Sequence, residues 1–237
     1  FYTLYSSIRK FDDAFGSYYK KAVILLNGVK QFNTIQKMAS KDRILRQKEE
    51  TRHNILDAAY YIVKEEGWQG LSMRKIADRI EYTAPIIYEY FSNKEAILHE
   101  LTKKGFVCLS TNLEKAKTIS ADPAEQLEEM WMAYWNFAFE DKELYQVMFG
   151  VEMTCCMQRV PEAEVPFKLF TEAIAELMKG QKPTDDVIKQ KYFTFFSVIH
   201  GLISINIVGN GLASSINNQI LKDAIGGIIK SIQVVEA

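Results

Sequence analysis

The feature that most constrains this chain is a pair of short amphipathic segments separated by a tight turn. Met73–Ile80 and Ala84–Tyr90 carry apolar residues at helical spacing, which predicts two short helices. Ser72 and Thr83 stand where helix N-caps are expected, and Pro85 lies in a first turn, where a missing N–H costs little. Five apolar residues can form one small core beneath the pair: Ile76, Ala77, Ile80, Ile87 and Phe91. Two helices of these proportions are typical of a helix-turn-helix, whose second helix enters the major groove of DNA.

A longer stretch around the pair carries a more specific pattern. The run from Tyr88 to Leu98 has the spacing Tyr-x-x-Phe-x-x-Lys-Glu-x-Ile-Leu, and the run Gly70–Ala77 precedes it. From Thr51 to Leu101 the sequence resembles the DNA-binding domain of TetR-type repressors. The resemblance implies an all-α fold. An N-terminal three-helix helix-turn-helix domain would be followed by a C-terminal helical domain that binds ligand and dimerises.

The resemblance also implies a set of DNA contacts. Side chains at the caps and at the end of the recognition helix would hold phosphates, and the first residues of that helix would lie nearest the bases. The predicted DNA-binding residues are Arg52, Ser72, Arg74, Thr83, Ala84, Pro85, Ile86, Tyr88 and Lys94, of which Ser72, Thr83, Tyr88 and Lys94 are expected at phosphates.

Three residues depart from the family pattern. Glu81 stands where a Gly is usual in the turn, Ala84 stands where a Lys or Arg often follows the cap, and Glu89 replaces a common basic residue. The predicted reading surface is therefore unusually apolar, which suits thymine methyl groups. The basic residues of Lys41–Arg52 are candidates for further phosphate contacts, and the alternative is a solvated charged face.

Six helices are predicted in the C-terminal part. One begins at Pro123, and the others cover Lys94–Lys117, Asp141–Phe149, 167–179, Val187–Val208 and Ser215–Val235. A cluster of aromatic and Met residues at helical spacing runs through them. Such a cluster is often plain core, but the resemblance implies an effector pocket between these helices. The predicted pocket residues are Trp131, Tyr134, Trp135, Met148, Met153, Phe167, Phe170, Phe196 and His200.

A second resemblance concerns the surroundings of His200. Leu144–Gly150 and Ile199–Leu202 are similar to the C-terminal domain of one TetR subgroup named for a Trp-His-Gly signature, with Ile199 at the Trp position. On an otherwise apolar helix, His200 is interpreted first as a hydrogen-bonded core histidine.

The last two predicted helices are too apolar to form a monomer surface. We expect them to pair with their copies in a second chain as a four-helix bundle, with Ile203 in the contact. The resulting homodimer would bind a palindromic operator. A small apolar or aromatic effector would release it by favouring a conformation with wrongly spaced heads.

Composition limits the alternatives. The net charge of −1 over 237 residues means that any surface for DNA is local. Three cysteines, two of them adjacent (Cys155 and Cys156), do not indicate a disulfide framework, so we expect a reducing cytoplasm. Redox sensing by the adjacent pair is a minor alternative. No apolar run reaches the roughly 18 residues of a membrane span.

No motif for catalysis is apparent. The sequence has no paired carboxylates, no Ser/His/Asp arrangement, no phosphate-binding Gly loop and no metal-ligand spacing. We therefore expect neither an enzyme nor a cofactor. The alternative to a regulator is a helical ligand-binding or adaptor protein that does not bind DNA.

The chain is predicted to have three parts. Residues 1–37 precede the first Met, Met38, and contain no Glu. We expect them to be a non-native or upstream extension, and the alternative is a genuine N-terminal arm. Residues 38–96 would form the DNA-binding domain, and residues 97–237 the effector-binding and dimerisation domain.

Overall fold

The computed structural model describes residues 41–150, 160–209, 211 and 213–233, and none of them lies in a strand. The helices are α1 (41–66), α2 (Met73–Arg79), α3 (Ala84–Tyr90), α4 (Lys94–Lys117), α5 (Pro123–Glu140), α6 (Lys142–Phe149), α7 (Glu164–Leu177), α8 (Asp185–Ile207) and α9 (Ser214–Gln233). Short 3-10 turns occupy Trp68–Gly70, Pro161–Ala163 and Lys179–Gln181. The all-α prediction is confirmed. The predictions for residues 1–37, Met153, Cys155 and Cys156 lie outside the described residues.

The chain divides into two compact units at Asn54. In the first unit, the described residues 41–54 are helical, and residues 41–50 are exposed. The basic run therefore lies within α1. Arg46 donates from Nε to the carbonyl of Asp42, one helical turn earlier, at 3.4 Å.

The second unit, from Ile55 onward, begins with a small core beneath α2 and α3. We call residues 55–93 the head and α4 to α9 the body. Ile55, Ile76, Ile87 and Phe91 are at most 4% exposed. Ala77 is also buried, and Ile80 packs against the core while staying partly exposed. The predicted core is thus present, with Ile80 at its edge.

Side-chain caps define where most helices begin. The side chains of Ser72, Asn93, Asp122, Asp141 and Thr184 each accept a hydrogen bond from a backbone N–H in the following turn. Each cap satisfies a donor that the helix itself leaves unpaired. Asp122 accepts from both Ala124 and Glu125, at 2.7 and 3.1 Å, and Pro123 follows it at a position that needs no donor.

Helix α4 follows the head directly, and it packs against α5, α6 and α7. Leu98, Leu101, Leu109 and Leu113 on its inner face are at most 1% exposed. Gly105 lies where Met148 of α6 approaches α4 so closely that a β-carbon there would meet the Met148 sulfur. The missing side chain therefore lets α6 rest directly on α4.

The centre of the body is a stack of aromatic rings. The ring of Trp131 lies between Phe170, at 3.8 Å and 20°, and Phe195, at 5.3 Å and 18°. All three side chains are at most 1% exposed. These rings come from α5, α7 and α8, so the stack holds three separate helices together.

Helices α8 and α9 form a hairpin with a polar contact near its closed end. The Asn217 side chain donates to the Asn206 side chain at 2.6 Å. Near the other end, Gln181 donates to the backbone carbonyl of Ile232 at 2.6 Å. Partly buried polar bonds of this kind favour one register, because sliding the helices would leave the groups unpaired.

Candidate DNA-binding surface and effector cavity

Helices α2 and α3 meet at a tight turn whose backbone is unusual. The N–H of Tyr82 donates to the carbonyl of Ala77 at 2.9 Å and closes the turn. Glu81 adopts a φ of +58°, the left-handed region that favours glycine. Glu81 thus stands at the position of the family-typical Gly in a conformation that favours glycine.

The predicted outward residues of the head are mostly accessible. Arg74, Thr83, Pro85 and Tyr88 are exposed, whereas Ala84 and Ile86 are half-buried. The N-terminal turn of α3 therefore presents a small, largely apolar surface. Base contacts from such a surface would be apolar rather than ionic.

The two predicted caps behave differently. The Ser72 hydroxyl accepts from the N–H of Lys75 at 3.3 Å, as predicted. Thr83 occupies the N-cap position of α3, but its side chain makes no capping hydrogen bond. Thr83 is thus the N-cap residue of α3, as predicted, without a capping bond from its hydroxyl. Pro85 in the first turn of α3 reduces the need for a cap, because it has no N–H to satisfy.

Lys94 has partners within the head. Its ammonium group donates to the carbonyl of Gln69 at 3.2 Å and lies 5.4 Å from the centre of the Trp68 ring. The predicted phosphate contact of Lys94 would therefore form from a side chain that is already positioned. Arg52 is half-buried on α1 and belongs to the other unit.

Sequence reasoning missed how far other cations of the head are neutralised. Lys75 pairs with Glu66, and Arg79 makes two bonds to Glu65, at 2.8 and 3.2 Å. The hydrogen bond from Arg79 lowers the pKa of Glu65. These pairs connect α2 to the end of α1, so the outward charge of α2 is reduced.

A cavity of about 720 Å³ lies in the body. Seven of the nine predicted pocket residues line it: Trp131, Tyr134, Met148, Phe167, Phe170, Phe196 and His200. Trp135 is not among the lining residues. Its ring instead packs on Phe139, with 4.6 Å between centroids, so the prediction for Trp135 is corrected.

Other lining residues were not predicted. Thr102, Phe106 and Leu109 contribute a wall from α4, and Tyr192 and Phe193 extend the wall from α8. The α4 residues repeat at intervals of four and three, the spacing of one helical face. That spacing was visible in the sequence, but it does not say whether the face meets a cavity or a packed neighbour.

One wall of the cavity is a ladder of nearly parallel rings along α8. Tyr192 and Phe196 lie 5.8 Å apart at 18°, and Phe196 and His200 lie 5.1 Å apart at 8°. The three residues repeat every four positions, which brings them to one face of the helix. We call Tyr192, Phe196 and His200 the ring ladder.

A chain of hydrogen bonds links Tyr134, Tyr145 and His200 beside this wall. The hydroxyl groups of Tyr134 and Tyr145 are 2.8 Å apart, and the Tyr145 hydroxyl lies 2.5 Å from Nδ1 of His200. Burial raises the pKa of both tyrosines and lowers the pKa of His200. His200 is thus the predicted hydrogen-bonded histidine, and it also faces the cavity.

Two polar contacts join α1 to the body. The Tyr60 hydroxyl donates to Asp141, the residue that caps α6. Burial, and then this hydrogen bond, raise the pKa of Tyr60. Lys104 of α4 pairs with Asp57 of α1 at 3.0 Å. The cap of α6 is therefore held by a residue of the head.

Among the described residues, no group of three or more His, Cys, Asp or Glu side chains is placed to hold a metal ion. Within the same ranges, no helix has the length and apolar character needed to cross a membrane.

The fold and the turn between α2 and α3 define a helix-turn-helix regulator. Residues 55–101 match the family model for bacterial regulatory proteins of the tetR family. Residues 127–220 match the model for a tetracyclin repressor-like C-terminal domain. The chain belongs to the TetR family of transcriptional regulators, a family without enzymatic activity.

Individual relatives are distant. The chain is 23% identical over 131 residues to the HTH-type transcriptional activator FasR of Mycolicibacterium smegmatis, covering 55% of this chain and 60% of that protein. It is 25% identical over 138 residues to the HTH-type transcriptional repressor KstR of Mycobacterium tuberculosis, covering 58% and 62%. The chain thus spans about 60% of the length of these relatives. A solved structure of a protein of unknown function from Rhodococcus sp. RHA1 has a similar fold, with a TM-score of 0.66, 19% identity and coverage of 77% and 95%.

Proposed function

We propose that the protein is a dimeric transcription repressor that leaves a palindromic operator when a small apolar or aromatic effector enters the cavity of the body. One observation carries the proposal: α4, which begins directly after the head, also forms a wall of the cavity through Thr102, Phe106 and Leu109. A ligand that changes this wall therefore acts on the helix that positions the head.

The accessible surface of α3 supports binding to DNA. The exposed hydroxyl groups of Thr83 and Tyr88 are suited to phosphate oxygens, and the half-buried Ala84 and Ile86 to the thymine methyl groups of base edges. Glu81 and Glu89 are exposed beside them and oppose binding to a polyanion. We therefore expect weak non-specific binding to DNA, with sequence selectivity supplied by apolar contacts. It also places the protein in the bacterial cytoplasm, where operators lie.

The apolar surface of α8 and α9 supports dimerisation. The exposed apolar side chains there are Phe193, Val198, Ile205, Ile216 and Ile220. Contiguous apolar surface on a helix pair is usually covered by a partner. Ile203 is fully buried within the chain, so the expectation that it marks the contact is wrong. Ile205 is 50% exposed and takes its place.

Two links connect the cavity to the head: α4 itself, and the contact between the start of α6 and Tyr60 of α1. Met148 and Phe149 line the cavity at the end of α6, and Asp141 at the start of α6 accepts the hydrogen bond of Tyr60. Movement of α6 on effector binding would thus reach α1 as well as α4. The fall in operator affinity is limited by how much more tightly the effector binds the altered conformation than the DNA-binding one.

Fluorescence anisotropy of the full chain against DNA upstream of its own gene tests the proposal. Site-selective binding with a steep salt dependence is expected. The absence of selective binding would favour the alternative, a helical ligand-binding or adaptor protein. The relative FasR is named as an activator, so transcription in vitro from the bound promoter must also fall for the repressor assignment to stand.

The dimer is tested by Ile205→Glu, with sedimentation as the measurement. A charge at this exposed position should produce monomers without loss of helix content, and operator affinity should fall steeply. A matched change in the connection between α4 and α5, Ile119→Glu, also falls on an exposed apolar residue and should leave the dimer intact. Dimers that survive Ile205→Glu would locate the interface elsewhere.

A further inference from the structure

The cavity has one wall of stacked aromatic rings. In the ring ladder, the angles between successive planes are only 18° and 8°. Aromatic rings attract one another most in offset-stacked or edge-to-face arrangements. Because successive centroids lie only 5.8 and 5.1 Å apart, these near-parallel rings stack on one another, so the wall they form consists of ring edges. The face of a planar ring system can lie on this row of edges in edge-to-face contact, which a flexible alkyl chain does not provide.

The far end of the ladder is polar. Tyr134 and His200 both line the cavity, and Tyr145 connects them from outside the lining. The two hydroxyls and a neutral imidazole together carry three hydrogens on oxygen or nitrogen, and the two bonds of the chain use two of them. One hydrogen therefore remains to be donated at one end, and an oxygen lone pair or the second ring nitrogen remains to accept at the other.

The direction of this chain is adjustable. If Tyr145 donates to Nδ1, then Tyr134 donates to Tyr145, and His200 keeps a hydrogen on Nε2. If Nδ1 instead carries the hydrogen, all bonds reverse and Tyr134 keeps a hydrogen for the cavity. The pKa of His200, lowered by burial, favours the neutral imidazole that this exchange requires. A ligand hydroxyl fits either direction, because it both donates and accepts.

The charges of the cavity argue against an ionised ligand. Among the lining residues that the structure describes, none is Lys or Arg, and the sole acidic one is Glu164. A carboxylate or phosphate entering this space would leave water without gaining a cationic partner among these described residues, which is costly. Glu164 would add repulsion.

We propose that the effector is a flat, uncharged aromatic molecule with a hydroxyl group. Its ring system lies on the ring ladder, and its hydroxyl bonds to the chain of Tyr134, Tyr145 and His200. The inference rests on the proposed role of the cavity as the effector site. It adds the chemical class of the ligand, and it assigns to His200 direct contact and to Tyr145 the positioning of His200.

Three fluorescent probes of one shape test this assignment: 1-hydroxypyrene, pyrene and pyrene-1-carboxylate. A cavity of about 720 Å³ accommodates each of them. Titrated into the full chain without DNA, 1-hydroxypyrene should bind about tenfold tighter than pyrene, the effect of one net hydrogen bond. The carboxylate should bind at least about tenfold weaker than 1-hydroxypyrene.

The readout is the ratio of the affinities for 1-hydroxypyrene and pyrene, because a merely structural defect weakens both probes together. His200→Phe keeps a ring in the ladder but removes both nitrogens, and it should bring the ratio to about two or less. Tyr145→Phe removes the hydroxyl that orients His200 and should reduce the ratio less. The matched control is Tyr61→Phe, a hydroxyl lost from an exposed ring on α1, which should not change the ratio.

Several results overturn the proposal: equal binding of pyrene and 1-hydroxypyrene, tightest binding of the carboxylate, an unchanged ratio in a folded His200→Phe variant, or no binding of any probe. Circular dichroism of each variant establishes folding. Operator binding measured on the same preparation reports on the regulator assignment separately, so failure of one is distinguishable from failure of the other.

Discussion

The head and the body are built from contacts of different range. In the head, the small core joins residues close in the chain, such as Ile76, Ile87 and Phe91. In the body, the central stack joins Trp131, Phe170 and Phe195. Local contacts leave a pattern within a short window of sequence, whereas distant contacts do not. The difference explains why the head is recognisable from residue order, while the cavity is visible only in three dimensions.

The largest expected effect tests whether the central stack holds the body together. Trp131→Ala removes the ring that lies between Phe170 and Phe195, and it should lower the free energy of unfolding by about 3–5 kcal/mol. Denaturant unfolding followed by circular dichroism measures the change. Ile87→Ala in the core of the head is the counterpart and should cost about 2–5 kcal/mol. A loss below about 1 kcal/mol for Trp131→Ala would contradict the importance of the stack.

The accuracy of the predictions made from sequence also differs between local and distant contacts. The bounds of α3 and α4 were predicted to the residue, because caps such as Asn93 and a Pro near the start of a helix act locally. Seven cavity residues were predicted from the aromatic and Met cluster and the family resemblance, yet Trp135, from the same cluster, packs on Phe139 instead. Periodicity places a residue on an inner face but does not say whether space or a neighbour lies there.

The exposed face of α8 shows the same limit. The helix is apolar almost all round, so sequence could not choose between Ile203 and Ile205 for the dimer contact. In the structure, Ile203 is buried in the core of the chain, whereas Ile205 is half-exposed. The hydrogen bond between Tyr60 and Asp141 was equally unpredictable, because its partners are 81 positions apart.

The second prediction concerns that bond, which joins head and body. Tyr60→Phe removes the hydroxyl that donates to Asp141, and it should lower the free energy of unfolding by about 1.5–3 kcal/mol, as for a bond to a charged group. Operator affinity should change little in the absence of effector. The effector-induced fall in affinity should shrink, because one of the two links from the cavity to the head is lost.

Anisotropy titrations with and without 1-hydroxypyrene measure this coupling. Tyr61→Phe, next to it on the exposed side of α1, is the control and should retain the full response. An undiminished response in Tyr60→Phe would leave α4 as the route between the cavity and the head.

A third prediction addresses the strained turn of the head. Glu81→Gly places the residue that tolerates a positive φ at a φ of +58°, and it should raise the free energy of unfolding by about 0.5–1 kcal/mol after the entropy cost of glycine. It also removes a negative charge beside α3, so operator affinity should rise. Glu81→Ala separates the two effects, since it removes the charge without relieving the backbone. Equal stability of the two variants would show that the turn carries no strain.

The smallest expected effect is a pH dependence that arises from His200 in the body. Burial lowers the pKa of folded His200 below the ordinary 6.5 of the unfolded chain. Between these two values the unfolded chain binds the proton and the folded chain does not, so the free energy of unfolding falls as pH decreases through this window and is restored above 6.5. The neighbouring tyrosines do not titrate there, because burial raises their pKa further above 10. His200→Phe should flatten this part of the stability profile in chemical denaturation between pH 5 and 8, a range that brackets the ordinary pKa of histidine. The effect is small because His200 is only partly buried, and the same slope in wild type and variant would place the titrating group elsewhere.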